Sequence, residues 1–281
     1  MALVVCCLLT GTPARATERD TSWLDKAFNR LYNFDFPGAH NALDRYTEAN
    51  PDDPLGYAMR SSCWVFYELN RLGILESEFF ADDKKIAEKK KLSPDPAVRQ
   101  KLFAAIGKAR GLASALLEKD RNDTNALFAM CITYGVETDY TALVEKRQLK
   151  SLSTVKTSTA YAQRLLKVDP SFTDAHLSTG LAEYLIGSLP FFVRWFVRID
   201  DIEGDKAVGV GKVAMVAKNG RFLKPFAKVL LALVYMREKT PSKAAAVLAE
   251  LSHDYPENPL FRRESQKISE GLRSGELKDR R

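Results

Sequence analysis

Apolar side chains recur mostly three and four residues apart along this chain. Few segments alternate apolar with polar residues as a half-buried strand would. The pattern predicts an all-α protein whose helices come in five pairs. First members run near 21–33, 54–73, 123–136, 172–187 and 222–237. Second members run near 37–49, 96–119, 151–168, 204–219 and 241–254, and a polar helix near 258–273 follows them.

One spacing returns inside all five first members. It reads Trp23-x-x-Lys26-Ala27-x-x-Arg30, Tyr57-x-x-Arg60-Ser61-x-x-Trp64 and Leu127-x-x-Met130-Cys131-x-x-Tyr134. It returns as His176-x-x-Thr179-Gly180-x-x-Glu183 and Lys228-x-x-Leu231-Ala232-x-x-Tyr235. The fifth residue of each is small, as a close crossing of two helices requires, since a larger side chain there overpacks the contact. Pro51, Pro170 and Pro256 stop helices, because the residue before a proline is pushed out of the α region. Two second members carry Ala39-x-x-x-Leu43 before Pro51 and Ala244-x-x-x-Leu248 before Pro256.

These spacings resemble the tetratricopeptide repeat, with its W-x-x-L-G-x-x-Y, A-x-x-x-F and P signature. The resemblance implies a right-handed α-solenoid of about five helical hairpins with a C-terminal capping helix, since a single hairpin leaves an apolar face that stacking buries. A narrower run, Gly180 to Ser188-Leu189-Pro190 and then Gly204-Asp205-Lys206-Ala-Val-Gly209, resembles the inclusion body clearance and tetratricopeptide repeat protein 39 family, with Lys206 replacing an arginine. It implies a helical adaptor without catalytic residues.

Long insertions near 74–95, 137–150 and 188–203 fall at the same turn of the middle three hairpins, so stacking lines them along one edge. By the tetratricopeptide register, fixed first-helix positions line a concave surface. The implied partner-binding residues there are Phe28, Tyr32, Phe66, Phe128, Leu181, Tyr184 and Phe226, with Phe191 and Trp195 from the fourth insertion. Lys, Arg and Asn do not occupy these positions, so the groove is apolar and disfavours acidic peptide tails. It either receives an apolar partner such as an amphipathic helix or is filled by the chain's own 189–199 segment. A third use of that segment is peripheral membrane contact through its aromatic residues.

The N-terminus reads as a signal peptide, residues 1–16: an apolar run, then Ala14-Arg15-Ala16, with cleavage expected before Thr17. The run is too short to span a bilayer. Residues 17–275 then form one solenoid domain, and 276–281 a disordered tail. The implied location is periplasmic or secreted. Cleavage leaves Cys63 and Cys131. Cys131 holds a small-residue position and reads as a buried hydrophobe, with a Cys63–Cys131 disulfide left open. The 281 residues carry a formal charge of +6. The densest basic stretch, Lys84–Lys91, is broken by Glu88 and follows Asp82 and Asp83, so a solvated face explains it better than nucleic acid does.

His40, His176 and His253 do not share metal-ligand spacing, and the chain lacks nucleophile-elbow, Walker and zincin motifs. Glu137, Asp139 and Glu145 are the mild acid–base candidates. The expectation is a non-enzymatic scaffold without cofactor or metal that binds a protein or peptide. The alternative is a carrier or sensor of an apolar small molecule in the same groove.

Overall fold

The computed structural model describes residues 20–75, 93–189 and 202–280. These residues are all-helical. The helices are α1 (Ser22–Tyr32), α2 (Phe36–Ala49), α3 (Pro54–Arg71), α4 (Pro96–Lys119), α5 (Thr124–Asp139) and α6 (Gln148–Val168). They continue as α7 (His176–Ser188), α8 (Lys206–Asn219), α9 (Lys224–Arg237), α10 (Pro241–Asp254) and α11 (Pro259–Ser274). The signal peptide, the Lys84–Lys91 stretch, Phe191 and Trp195 lie outside the described residues.

Local chemistry sets most boundaries. Asp35, Asp53, Asp95, Asp123, Asp205 and Asn258 each accept a backbone amide of the helix that follows. Three of these caps precede a proline at the first helical position, where a missing N–H costs nothing. Each helix packs on the one before and after it in the chain, and α3 also packs on α5.

The small-residue register faces the interior. Ala27, Ser61, Cys131, Gly180 and Ala232 are all buried. The closest approach is between α7 and α8. A Cβ at Gly180 would stand 2.7 Å from the Lys212 Cβ and 3.1 Å from the Gly209 carbonyl oxygen. One at Gly209 would stand 2.5 Å from the Tyr184 amide nitrogen. The glycine pattern around 180–209 is therefore a backbone-to-backbone helix contact. Gly180→Leu is expected to cost about 1–3 kcal/mol by overpacking; an unchanged denaturation midpoint would show that the helices do not need this approach.

Two elements differ from the sequence pattern. Most of the third insertion is helical, because α5 runs on through a π-turn at Tyr140–Val144, leaving Glu145–Arg147 before α6. Val136, Tyr140 and Val144, four apart, continue one buried stripe, and the Tyr140 ring meets Phe103 of α4 edge-on at 5.7 Å. The polar Glu137 and Asp139 obscure that stripe in the sequence. The C-terminal residues, for which disorder is expected from 276, make defined contacts. Leu277 packs on the α10–α11 core, the Arg280 amide donates to the Lys239 carbonyl at 2.7 Å, and Asp279 accepts from Ser242.

Candidate functional site

The side chains that the repeat register assigns to the concave surface converge, and most of them touch one another. Phe28 and Tyr32 on α1, Phe66 on α3, Phe128 on α5 and Phe226 on α9 form one aromatic cluster with Phe222. Phe28 stacks on Phe222 at 5.3 Å, Phe66 meets Phe226 at 5.3 Å, and Tyr32 meets Phe66 at 6.0 Å. Phe128 lies 6.2 Å from Phe222 and 4.7 Å from Phe172. Phe28, Tyr32 and Phe128 are buried and Phe66 and Phe226 are half-buried. Pairs of this geometry are worth about 0.5–1.5 kcal/mol beyond their burial.

The cluster joins the two ends of the chain. Tyr32 also meets Tyr255 at 5.6 Å, and its carbonyl accepts from the fully buried Asn258 side chain at 2.7 Å. The Arg221 guanidinium donates to Thr21 at 2.5 Å and to Asp25 at 3.3 Å. Here the space between these rings is filled by α1 meeting the segments that flank α9 and α10. Phe222 was not among the sequence candidates. It lies four residues before Phe226, so extending the stripe one turn past the register would have found it.

Tyr184, Leu181 and Leu185 stand apart from the cluster, on α7. Tyr184 is buried and donates its hydroxyl to Glu238 at the end of α9, at 3.0 Å. Leu181 is half-buried and Leu185 is 46% exposed. The other α9 positions of the register, Val229, Leu233 and Met236, line a small apolar pocket of about 30 Å³ with Leu75, Phe261 and Ile268.

Buried carboxylates serve as clasps. Asp174, ahead of α7, accepts the Arg221, Phe222 and Leu223 amides at 2.9, 3.1 and 2.6 Å. Glu183 on α7 accepts the Gly204 and Asp205 amides at 3.0 and 3.1 Å, so it ties the far end of the fourth insertion to α7. Gly204 has φ +79°, a conformation that suits glycine. Glu68 does the same for the second insertion, accepting from the Asp95 amide at 2.8 Å and pairing with Arg71.

Of the acid–base candidates, Glu137 pairs with Arg110 at 2.8 Å, and Glu145 with Arg99 at 3.2 Å. Burial pushes the Asp139 carboxyl up to about 7. A folded pKa above the unfolded value means that the folded chain binds a proton more readily, so stability falls as pH rises from about 4 to about 7. Asp139→Asn should flatten that slope and raise stability at pH 8. A variant with the parent's pH profile would show that Asp139 is not the group responsible. His40 packs on Trp64 at 4.2 Å, and its pKa is lowered to about 4, first by burial and then by Arg60. Among the described residues, no group of three or more His, Cys, Asp or Glu could hold a metal ion, and no helix is long and apolar enough to cross a membrane.

Cys63 and Cys131 are free and buried. Burial pushes the Cys63 thiol up to about 12 and the Cys131 thiol to about 11. Thiolate, the reactive form, is scarce at neutral pH. In the protein starting at Thr17, both should resist a thiol reagent while folded and react on unfolding; prompt labelling of Cys63 and Cys131 under native conditions would contradict this burial. No family model, curated protein or solved structure matches the chain, so the candidate site rests on its own geometry.

Proposed function

We propose that the protein is an exported, non-enzymatic scaffold of about five tetratricopeptide-like hairpins, stacked as a right-handed solenoid, that binds a protein or peptide. The observation that carries this reading is the serial packing of each helix on its chain neighbours with the five small register residues buried, an arrangement like that by which repeat proteins build extended binding surfaces. The contact surface lies on those register positions that the aromatic cluster leaves accessible. These are Leu181 and Leu185 on α7 and Leu233 and Met236 on α9, two helices linked by the Tyr184–Glu238 hydrogen bond. An amphipathic helix with apolar residues three and four apart suits such a strip.

The test is capture of partners from the producing cell's envelope fraction on immobilised full-length protein and on its Leu185→Asp variant. This leucine is exposed, so the fold should melt as the parent does. A protein retained by the parent and lost by the variant supports the reading. Equal retention by both, or no retention above an empty matrix, overturns it. Export has its own check: the mature protein should begin at Thr17, and a cell-retained form keeping Met1 would refute it.

A further inference from the structure

The largest pocket among those described lies away from the aromatic cluster, between α6, the start of α7, and α8, and has a volume of about 250 Å³. Its polar wall is Gln163 and Lys167 from α6, His176 and Thr179 from the first turn of α7, and Lys212 from α8. Leu166 and Ile202 supply a smaller apolar wall. Among the described residues, the charged side chains that line it are both lysines.

Among the described residues that positive charge is incompletely matched. Lys212 is 28% exposed, and its ammonium stands 3.5 Å from one Glu183 oxygen. The other Glu183 oxygen is occupied by the Gly204 and Asp205 amides. At that separation Lys212 keeps N–H donors for a ligand. Lys167 is exposed. His176 is held neutral, its pKa lowered first by burial and then by Lys212, so its imidazole adds a polar group without a third charge. Thr179 spends its hydroxyl proton on the His176 carbonyl at 3.2 Å, which leaves donation to the lysines.

From these features we propose that the α6–α7–α8 pocket is a binding site for a phosphate-bearing ligand, its phosphate held between Lys167 and Lys212 and its neutral body laid on Leu166 and Ile202. Two point-charge ammonium groups fit a compact, multiply charged anion, whereas a planar carboxylate is better met by the fork of an arginine. The volume exceeds that of one phosphate and excludes a nucleotide-sized molecule with its base buried. A free phosphate monoester and the headgroup of a phosphomonoester lipid present the same chemistry. This site is independent of the scaffold reading, because it shares no residue with the α7–α9 strip.

The test is calorimetric titration of the full-length protein with glycerol 3-phosphate and inorganic phosphate at fixed ionic strength. Flotation with phosphatidylcholine vesicles, with and without phosphatidic acid, runs alongside it. Lys167→Gln, at an exposed position, keeps the fold. It should bind about tenfold more weakly, the worth of one charge-assisted hydrogen bond. Lys212→Gln should do the same, with its melting curve recorded because Glu183 loses a partner. Saturable binding in solution assigns a soluble ester, and binding to phosphatidic acid vesicles alone assigns a lipid, provided Lys167→Gln weakens either. No heat and no flotation, or binding that Lys167→Gln leaves intact, overturns the proposal.

Discussion

Phe222→Ala should cost about 3–5 kcal/mol, the range for truncating a buried aromatic residue. The ring is 6% exposed and sits between Phe28 of α1 and Phe128 of α5. Its loss would open a cavity where the first, third and fifth hairpins meet, and the structure could collapse there only by moving whole helices. Position also gives the variant a local signature. Because α1 is attached to the C-terminal hairpins through Phe222, Arg221 and Asn258, its amides should exchange with solvent well before those of α5. Denaturant unfolding and hydrogen exchange measure the two effects. A loss below about 1 kcal/mol, the scale of an ordinary surface change, with α1 protected as in the parent, would mean that the ends are not held together by this ring.

The next largest effect is expected at Asp174. The side chain is 5% exposed and accepts three consecutive amides, at residues 221 to 223, just ahead of α9. Asp174→Ala leaves those donors without an acceptor. A buried unsatisfied donor costs about 1–3 kcal/mol. Arg221 is exposed and its amide can find water, so the total should be about 3 kcal/mol. Asp174→Asn retains a carbonyl oxygen and should recover part of it. If Ala and Asn variants melt together at the parent's temperature, the three hydrogen bonds are not formed in solution. The same loop carries Phe222, so the Ala variant should also loosen α1. A double variant with Phe222→Ala should therefore lose less than the two single losses combined, as coupled neighbours do.

Much of the local structure was legible in the sequence. Asp53-Pro54, Asp95-Pro96 and Asn258-Pro259 mark helix starts because a cap and a proline act on their own few residues whatever the rest of the chain does. The small residues Ala27, Ser61, Cys131, Gly180 and Ala232 were legible for a similar reason, since a close helix crossing excludes bulk wherever it occurs. The π-turn extension of α5 was hidden because its buried stripe, Val136, Tyr140 and Val144, runs between charged residues. The clasps were not legible at all. Asp174 lies 47 to 49 residues from its amides and Glu183 lies 21 and 22 from its own, and no spacing encodes partners at such separations.

The candidate site divides along the same line. The register named Phe28, Tyr32, Phe66, Phe128 and Phe226 as inward-facing, and they do face one another. It could not say whether the space between them stays open. That depends on how helices far apart in the chain pack together. Here α1 lies against the segments that flank α9 and α10, and Phe222 fills the gap. Packing of the consecutive helices α6, α7 and α8 brings Lys167, His176 and Lys212 around one pocket, though no motif joins them. By itself the sequence determined the all-helical class, the helix limits and the inward faces, because short-range sterics and amphipathic spacing control those. Only the tertiary structure decided that the ends meet, that the aromatic surface is largely consumed in meeting, and which surfaces stay free, because those follow from long-range geometry that no local pattern carries.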